Sequence, residues 1–175
     1  TNFKNQVVVD LYTAPAILGT HQVLFYNLNG KSYANSLQVD FNLEIIKHFD
    51  LRTAYKYYDI QTDYISGQSE RPLQARHRFF GNLGFETHIK EKGKQWKFDF
   101  TYNWMGEQKL PETASNPEID RLPVYSPSYS LINAQITRTF SSTFEMYIGG
   151  ENIGNYKQEK AILGSENPFG STFDA

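Results

Sequence analysis

From Gln95 to Met105 the chain alternates without a break. Trp96, Phe98, Phe100, Tyr102 and Trp104 take every second position, with Lys97, Asp99, Thr101 and Asn103 between them. Successive side chains of a strand point to opposite faces, whereas a helix repeats every 3.6 residues, so this stretch reads as a strand with one aromatic face and one polar face. An aromatic face of this kind has to be covered by the core of a soluble sheet or by lipid. Tryptophan at both ends of the run suits the two interfacial belts of a membrane strand.

The rest of the composition bears on that choice. Twelve Tyr, thirteen Phe and two Trp in 175 residues follow the alternating stretches rather than one cluster, as strand-rich chains require. Seventeen Lys and Arg against nineteen Asp and Glu give no charge excess that would draw nucleic acid or acidic lipid. The chain has no cysteine, which removes disulfides, zinc–thiolate sites and thiol catalysis together. It has no apolar run long enough for a membrane helix, and its start, Thr-Asn-Phe-Lys-Asn-Gln, is not a signal peptide. A mean hydropathy of −0.55 is no argument against lipid, because a barrel strand averages an apolar outer face with a polar inner one.

Taken in order, Phe3 to Leu11 reads as a first strand and is broken by Pro15 and Gly19. Residues 22–46 follow as one long strand with an irregularity at Asn29-Gly30, although Asn-Gly is also the strongest two-residue hairpin signal. A turn at 47–50 leads to a strand over 51–57, and 59–72 is aperiodic and polar, an exposed loop. A strand over Leu73–Ile89 and a turn at 90–94 with Gly93 lead to the aromatic strand. Pro111, Pro117, Pro123 and Pro127 make 107–127 a long connection without a central strand. Tyr129–Phe140 and 144–148 are the last strands, joined by a turn at 140–143, and 155–175 is loop-like.

Short turns at 47–50, 90–94 and 140–143 therefore alternate with long links at 12–21, 59–72 and 107–127 and with the tail. Outer-membrane barrels have this asymmetry, with short periplasmic turns and long outer loops. The expected fold is all-β, an antiparallel up-and-down transmembrane β-barrel segment of about seven strands of a larger barrel. The opposing expectation is a soluble carbohydrate-binding or structural β-sandwich, with the aromatic strand in its core and loops 59–72 and 107–127 at a binding end.

With these stretches in view, the chain resembles the C-terminal barrel segment of a TonB-dependent outer-membrane receptor. The phrases that carry the resemblance are Phe-Tyr-Asn-Leu-Asn-Gly-Lys-Ser at 25–32, Ala-Tyr-Lys-Tyr-Tyr-Asp at 54–59, Arg-Pro-Leu-Gln-Ala-Arg-His-Arg at 71–78, Gly-Gly-Glu-Asn-Ile-Gly-Asn-Tyr at 149–156 and Asn-Pro-Phe-Gly at 167–170. The resemblance implies that residues 1–175 are the C-terminal part of a receptor barrel domain, with the plug domain, the TonB box and the last strand absent. It also implies a place in the bacterial outer membrane and contact with outer-membrane lipid. The TonB complex would act through the plug region, and the substrate would be a scarce small molecule or oligosaccharide: a ferric siderophore, cobalamin or a sugar chain.

No enzyme chemistry is expected. His21, His48, His77 and His88 lack metal-ligand spacing; Asp59, Asp63 and Glu70 read as solvated charge, and the serines at 66 and 69 have no activating partner. No cofactor or metal is implied. The polar face is the better candidate for function. Asp40, Glu44, Arg52, Lys56, Arg76, Arg78, Asp99, Asn103, Gln135, Glu145 and Glu151 stand opposite their strands' apolar rows and in a barrel would face the lumen. Trp96, Trp104, Tyr55, Tyr57 and Tyr102 fall on the outward rows; Tyr64, Tyr125 and Tyr129, in or beside loops, are the candidates for substrate contact.

Overall fold

The alternating stretches pair into one meander. In the structure, a computed structural model describing residues 2–3, 5–10, 24–87, 94–111, 113–114 and 118–158, the strands are β1 (Asn2–Phe3), β2 (Val7–Asp10), β3 (Leu24–Asn27), β4 (Ser32–Ile46), β5 (Phe49–Thr62), β6 (His77–Glu86), β7 (Gln95–Met105), β8 (Tyr129–Thr139) and β9 (Glu145–Gly150). The protein is all-β and antiparallel. Seven strands form one sheet in the order β1-β4-β5-β6-β7-β8-β9, and β2 pairs with β3 beside it. Among the described residues the sheet is not closed into a barrel.

Register decides what this sheet presents. Leu43, Leu51, Leu83, Phe100 and Ala134 stand in one cross-strand row, and Phe49, Phe85, Phe98, Ile136 and Ile148 in the next. Towards the long loops come Phe41, Thr53, Gly81, Tyr102 and Ile132, then Val39, Tyr55, Phe79, Trp104 and Ser130. The polar residues between them align in the same way on the opposite face. Both faces are open: Ile148 on the apolar face is 75% exposed and Tyr147 on the polar face 72%. Among the described residues the only buried hydrophobic side chains are Val8, Leu28 and Ala75, none of them in the main sheet.

Three readings of the sequence are corrected in detail. Residues 3–11 and 22–46 are each interrupted, so that two expected strands become β1 with β2 and β3 with β4. The register explains the break. From the Phe3–Ser32 pair to the Val7–Asn27 pair the first segment advances four residues and the second five, so one extra residue must be absorbed at the crossing. The extra residue falls between Asn27 and Ser32, opposite Asn5, whose φ is 53°, and Gln6 still receives the Leu28 amide at 2.8 Å. Asn29-Gly30 is accordingly an irregularity and not a hairpin. Strand β5 runs on to Thr62, beyond the expected end at 57, because Asp59, Ile60 and Gln61 pair with Asn35, Ala34 and Tyr33 despite their polar neighbours. Strand β6 starts at His77 rather than at Leu73, since Leu73 has φ of 58° and cannot continue a ladder. The link at 12–21, most of the turn at 90–94 and the tail beyond residue 158 lie outside the described residues.

The connections sort by length as expected. Lys47-His48 joins β4 to β5 and residues 140–144 join β8 to β9 at one end of the sheet, while 63–76 and 106–128 lie at the other. The long segments are folded. Asp10, fully buried, accepts hydrogen bonds from the Tyr26 hydroxyl at 3.2 Å, the Ser66 amide at 3.1 Å and the Ser66 hydroxyl at 3.0 Å, which fastens the β2–β3 pair to loop 63–76. Prolines flank short bridges in 106–128, where Lys109 faces Tyr125, and Gln108 faces Ala75 of the neighbouring loop.

Just before β4, Gly30 and Lys31 lie against Asp63 of the long loop. The Lys31 amide donates to Asp63 Oδ2 at 2.8 Å and the Asp63 amide to the Lys31 carbonyl at 2.9 Å. A Cβ on residue 30 would lie 2.8 Å from Asp63 Cβ, too close without a shift of the backbone. Gly30→Ala is expected to speed hydrogen exchange of the Lys31 and Asp63 amides about tenfold while leaving β7 amides unchanged. Equal protection in the two proteins would show that the contact is not a constraint.

Candidate functional site

The polar face and the loop end above it hold the chemistry. Parity along each strand places Arg52, Lys56, Arg78, Asp99, Asn103, Gln135 and Glu145 on that face, as the alternation anticipates. Register then decides which of them meet. Asp99 lies opposite Gln135 and Gly84, and its Oδ1 accepts from Asn82 Nδ2 at 2.8 Å, while the Asn82 amide also reaches Thr101 Oγ1 at 3.0 Å. Glu145 accepts the Thr139 hydroxyl at 2.8 Å. Glu151, just beyond β9, lines a groove of about 300 Å³ with Asp99, Asn133, Gln135 and Tyr147. Arg52 pairs in register with Asn42 and Asn82, and Lys56 with Gln38 and Arg78. Asn103 faces Phe80 and Leu131, so the polar face is not uniformly polar towards the loops.

At the loop end of the sheet a cleft of about 400 Å³ is lined by residues of both faces and of the loops, among them Tyr58, Glu70, Arg71, Arg76, His77, Trp104, Glu107, Lys109 and Tyr125. Arg76 lies one residue outside β6, where parity no longer fixes its side. Its guanidinium stands 3.3 Å from Glu70 and 3.8 Å from Asp59, pairs that contribute little net stability when this exposed but hold the side chain in the cleft wall. Tyr125 donates its hydroxyl to Glu70 Oε2 at 2.7 Å, and Lys109 Nζ sits 5.2 Å from the centre of the Tyr125 ring. One carboxylate thus links loop 63–76 to loop 106–128. The site is a walled pocket with aromatic surfaces and both signs of charge, suited to holding a polar ligand.

The three tyrosines expected to touch substrate do not converge. Tyr125 is in this cleft. Tyr64 lines a neighbouring hollow with Val8, Tyr33 and Leu73. Tyr129 stacks on Tyr156 at 4.6 Å and 10°, at the start of β8. That stack belongs to the Glu-Asn-Ile-Gly-Asn-Tyr segment: Asn152 has φ of 49°, its amide donates to Asn133 Oδ1 at 2.8 Å, and its side chain exchanges two 2.9 Å bonds with the Tyr156 backbone. Asparagine tolerates the left-handed region and bonds locally, so the motif is a structural cap. Of the histidines, His48 is at the short-turn end with φ of 71°, and His77 is at the loop end with Nδ1 2.6 Å from the Tyr55 hydroxyl. His21 and His88 lie outside the described residues. The sequence reading missed Tyr58 and Lys109 as cleft residues and assigned Trp104 to the outer face alone. Tyr58 was legible from parity with Lys56; Lys109 was not, because only the loop fold brings it in.

Comparison of the chain with protein-family models, with curated proteins and with solved structures gives no match in any of the three.

Tyr125 carries a pH signature. Its hydrogen bond to Glu70, then its burial and the charge of Glu70, raise its pKa above the ordinary phenol value, which is near 10. A raised folded-state pKa means that the bond's contribution is complete below about pH 10 and is lost as pH climbs through the folded value. Tyr125→Phe is expected to cost about 0.5–1 kcal/mol at this accessible position. Subtracting its tyrosinate absorbance titration from that of the unaltered protein should give a component ionising above pH 10; ionisation at or below the ordinary value would remove the Glu70 bond from the account.

Proposed function

We propose that this chain is part of the wall of an outer-membrane β-barrel, the C-terminal part of the barrel domain of a TonB-dependent receptor that binds and imports a scarce nutrient. One observation carries the membrane reading. On the apolar face no Asp, Glu, Lys or Arg stands between the row of Trp96, Arg138 and Met146 and the row of Leu37, Tyr57 and His77. Those rows are ten residues apart along β7, from Trp96 to Gly106, which pairs with His77. At about 3.4 Å per residue and a tilt of about 40°, that is a band of about 25 Å, the height of the apolar belt of a bacterial barrel.

The ends of the band support the same reading. Trp96 and the Phe140–Phe144 pair, 5.4 Å apart, mark the short-turn end, and Trp104, Tyr55 and Tyr57 mark the loop end, which is how interfacial aromatics are arranged. Phenol groups within the band are satisfied locally: the Tyr102 hydroxyl lies 2.9 Å from Ser130 Oγ. A soluble sandwich would need a second layer over this face, and the described residues contribute no such layer. No helix among them is long and apolar enough to cross a membrane, which does not bear on crossing by strands.

The receptor half of the proposal rests on the resemblance and on the cleft. Long folded loops at one end, joined through Glu70, line a pocket of ligand size at the loop end of the sheet. In this reading that end is extracellular, the polar face looks into the lumen and contacts a plug, and the TonB complex acts through that plug. The substrate is a small molecule or oligosaccharide of the siderophore, cobalamin or sugar class.

Two measurements test the membrane placement. The native protein, extracted in detergent and detected with an antibody to 107–127, should migrate as a heat-modifiable band in the membrane fraction; a heat-insensitive band in the soluble fraction would favour the sandwich. Depth gives the second. Phe100→Arg at mid-band should destabilise the lipid-embedded protein by about 2–4 kcal/mol and Trp96→Arg at the edge by about 0–1 kcal/mol, read by denaturant unfolding in vesicles. Equal losses at the two positions would remove the depth gradient on which the reading depends.

A further inference from the structure

We propose that Lys56 and Arg78 form a binding site for an oxyanion, a carboxylate or phosphate group of a small ligand, on the polar face beside Tyr58, a wall residue of the loop-end cleft. The inference concerns the polar face alone and holds whether or not the opposite face meets lipid. Lys56 and Arg78 are directly opposed in the β5–β6 register. Both hold their charge over one ring: Lys56 Nζ lies 5.9 Å and the Arg78 guanidinium carbon 5.6 Å from the centre of Tyr58. Like charges directly opposite each other on a sheet are destabilising, and here both side chains are also half-buried. The arrangement therefore costs stability that a bound anion would restore.

Among the described residues no carboxylate stands within ion-pair distance of either cation, Glu107, two residues beyond Met105, included. The only ion pairs among the described residues are those of Arg76, and neither Lys56 nor Arg78 takes part in them. The row holding the two cations continues to Gln38 on one side and to Met105 and Tyr129 on the other. The row below holds Ala54, Phe80 and Asn103, with Asp40 as its one acid. Both Asp40 oxygens are engaged by Gln38 Nε2, at 3.0 and 2.8 Å. The other basic residues of the polar face differ: Arg52 has Asp50 and Lys97 has Asp99 two residues along its own strand on the same face. Arg78 Nε is, in addition, buried with no hydrogen-bond partner, and a buried donor without an acceptor carries the full cost of its lost hydration.

Two cations with a guanidinium fork suit an oxyanion, which can take parallel N–H···O bonds from Arg78 and the point charge of Lys56. Tyr58 belongs to both places: it carries the two cations and lines the cleft above. An acid group held on the polar face beside Tyr58 would meet both cations.

The test is isothermal titration of the folded full-length protein with citrate, with inorganic phosphate and with neutral maltotriose, at low and matched ionic strength. The unaltered protein should bind citrate or phosphate saturably, and Arg78→Gln should weaken that binding about tenfold or more. Lys56→Gln should weaken it less, because it removes charge without the fork. Citrate and phosphate distinguish a carboxylate site from a phosphate site. Should Arg78→Gln fail to fold, the unfolding temperature of the unaltered protein and of Lys56→Gln decides: citrate or phosphate should raise the first more than sodium chloride of equal ionic strength does, and the second less. Unchanged affinity in Arg78→Gln, or a response to citrate and phosphate no greater than to chloride, would overturn the proposal.

Discussion

A slip of one residue between any two neighbouring strands of the main sheet would turn one strand's aromatic row to the polar face and its charges to the apolar one. The two-sided sheet therefore depends on register. From β5 to β8 that register is unbroken: Leu51, Leu83, Phe100 and Ala134 share one row, and Arg52, Asn82, Thr101 and Asn133 share the next. Local alternation sets which side chains of a strand go together; pairing sets which strands agree. Where the pattern is disturbed, at Ile45 between Glu44 and Ile46 and at the crossing near Gly30, the disturbance lies at the end of a strand, where it does not invert a face.

The same sheet is incomplete in the hydrogen-bonding direction. Strand β4 pairs with β5 along its length, but on its other side only Ser32 and Tyr33 meet β1. Among the described residues the edge from Asn35 to Ile46 and the outer edge of β9 have no neighbour. A long, flat, apolar edge is a template for further pairing in water, and in a bilayer each unsatisfied backbone group costs several kcal/mol. On the membrane reading both edges require additional strands. The features that make the apolar face suitable for lipid thus make this sheet, taken alone, unsuitable for it.

The strands were legible in the sequence to different degrees. The run from Gln95 to Met105 is read to the residue because its alternation is strict from Trp96 to Trp104 and gives way to Met105-Gly106. Strand β5 was cut short because Asp59 and Gln61 look like loop residues; what extends it is the partner β4, a tertiary fact that composition does not carry. The faces of the site residues followed from parity, and Lys56, Arg78 and Asp99 needed nothing more. The cleft did not follow. Tyr125 and Glu70 are 55 positions apart, and neither loop has a periodicity that says where its side chains point.

The electrostatics of the loop end separate into two levels. In the cleft wall, Arg76 is balanced by Glu70 and Asp59, and Glu70 also accepts the Tyr125 hydroxyl, so a ligand competing for Arg76 would have to displace contacts that join the two loops. On the polar face beside Tyr58, Lys56 and Arg78 have no such ion pairs to displace. An anion there would relieve repulsion, whereas one at the wall would break existing bonds. Tyr58, which touches both cations and lines the cleft, is the side chain the two levels share.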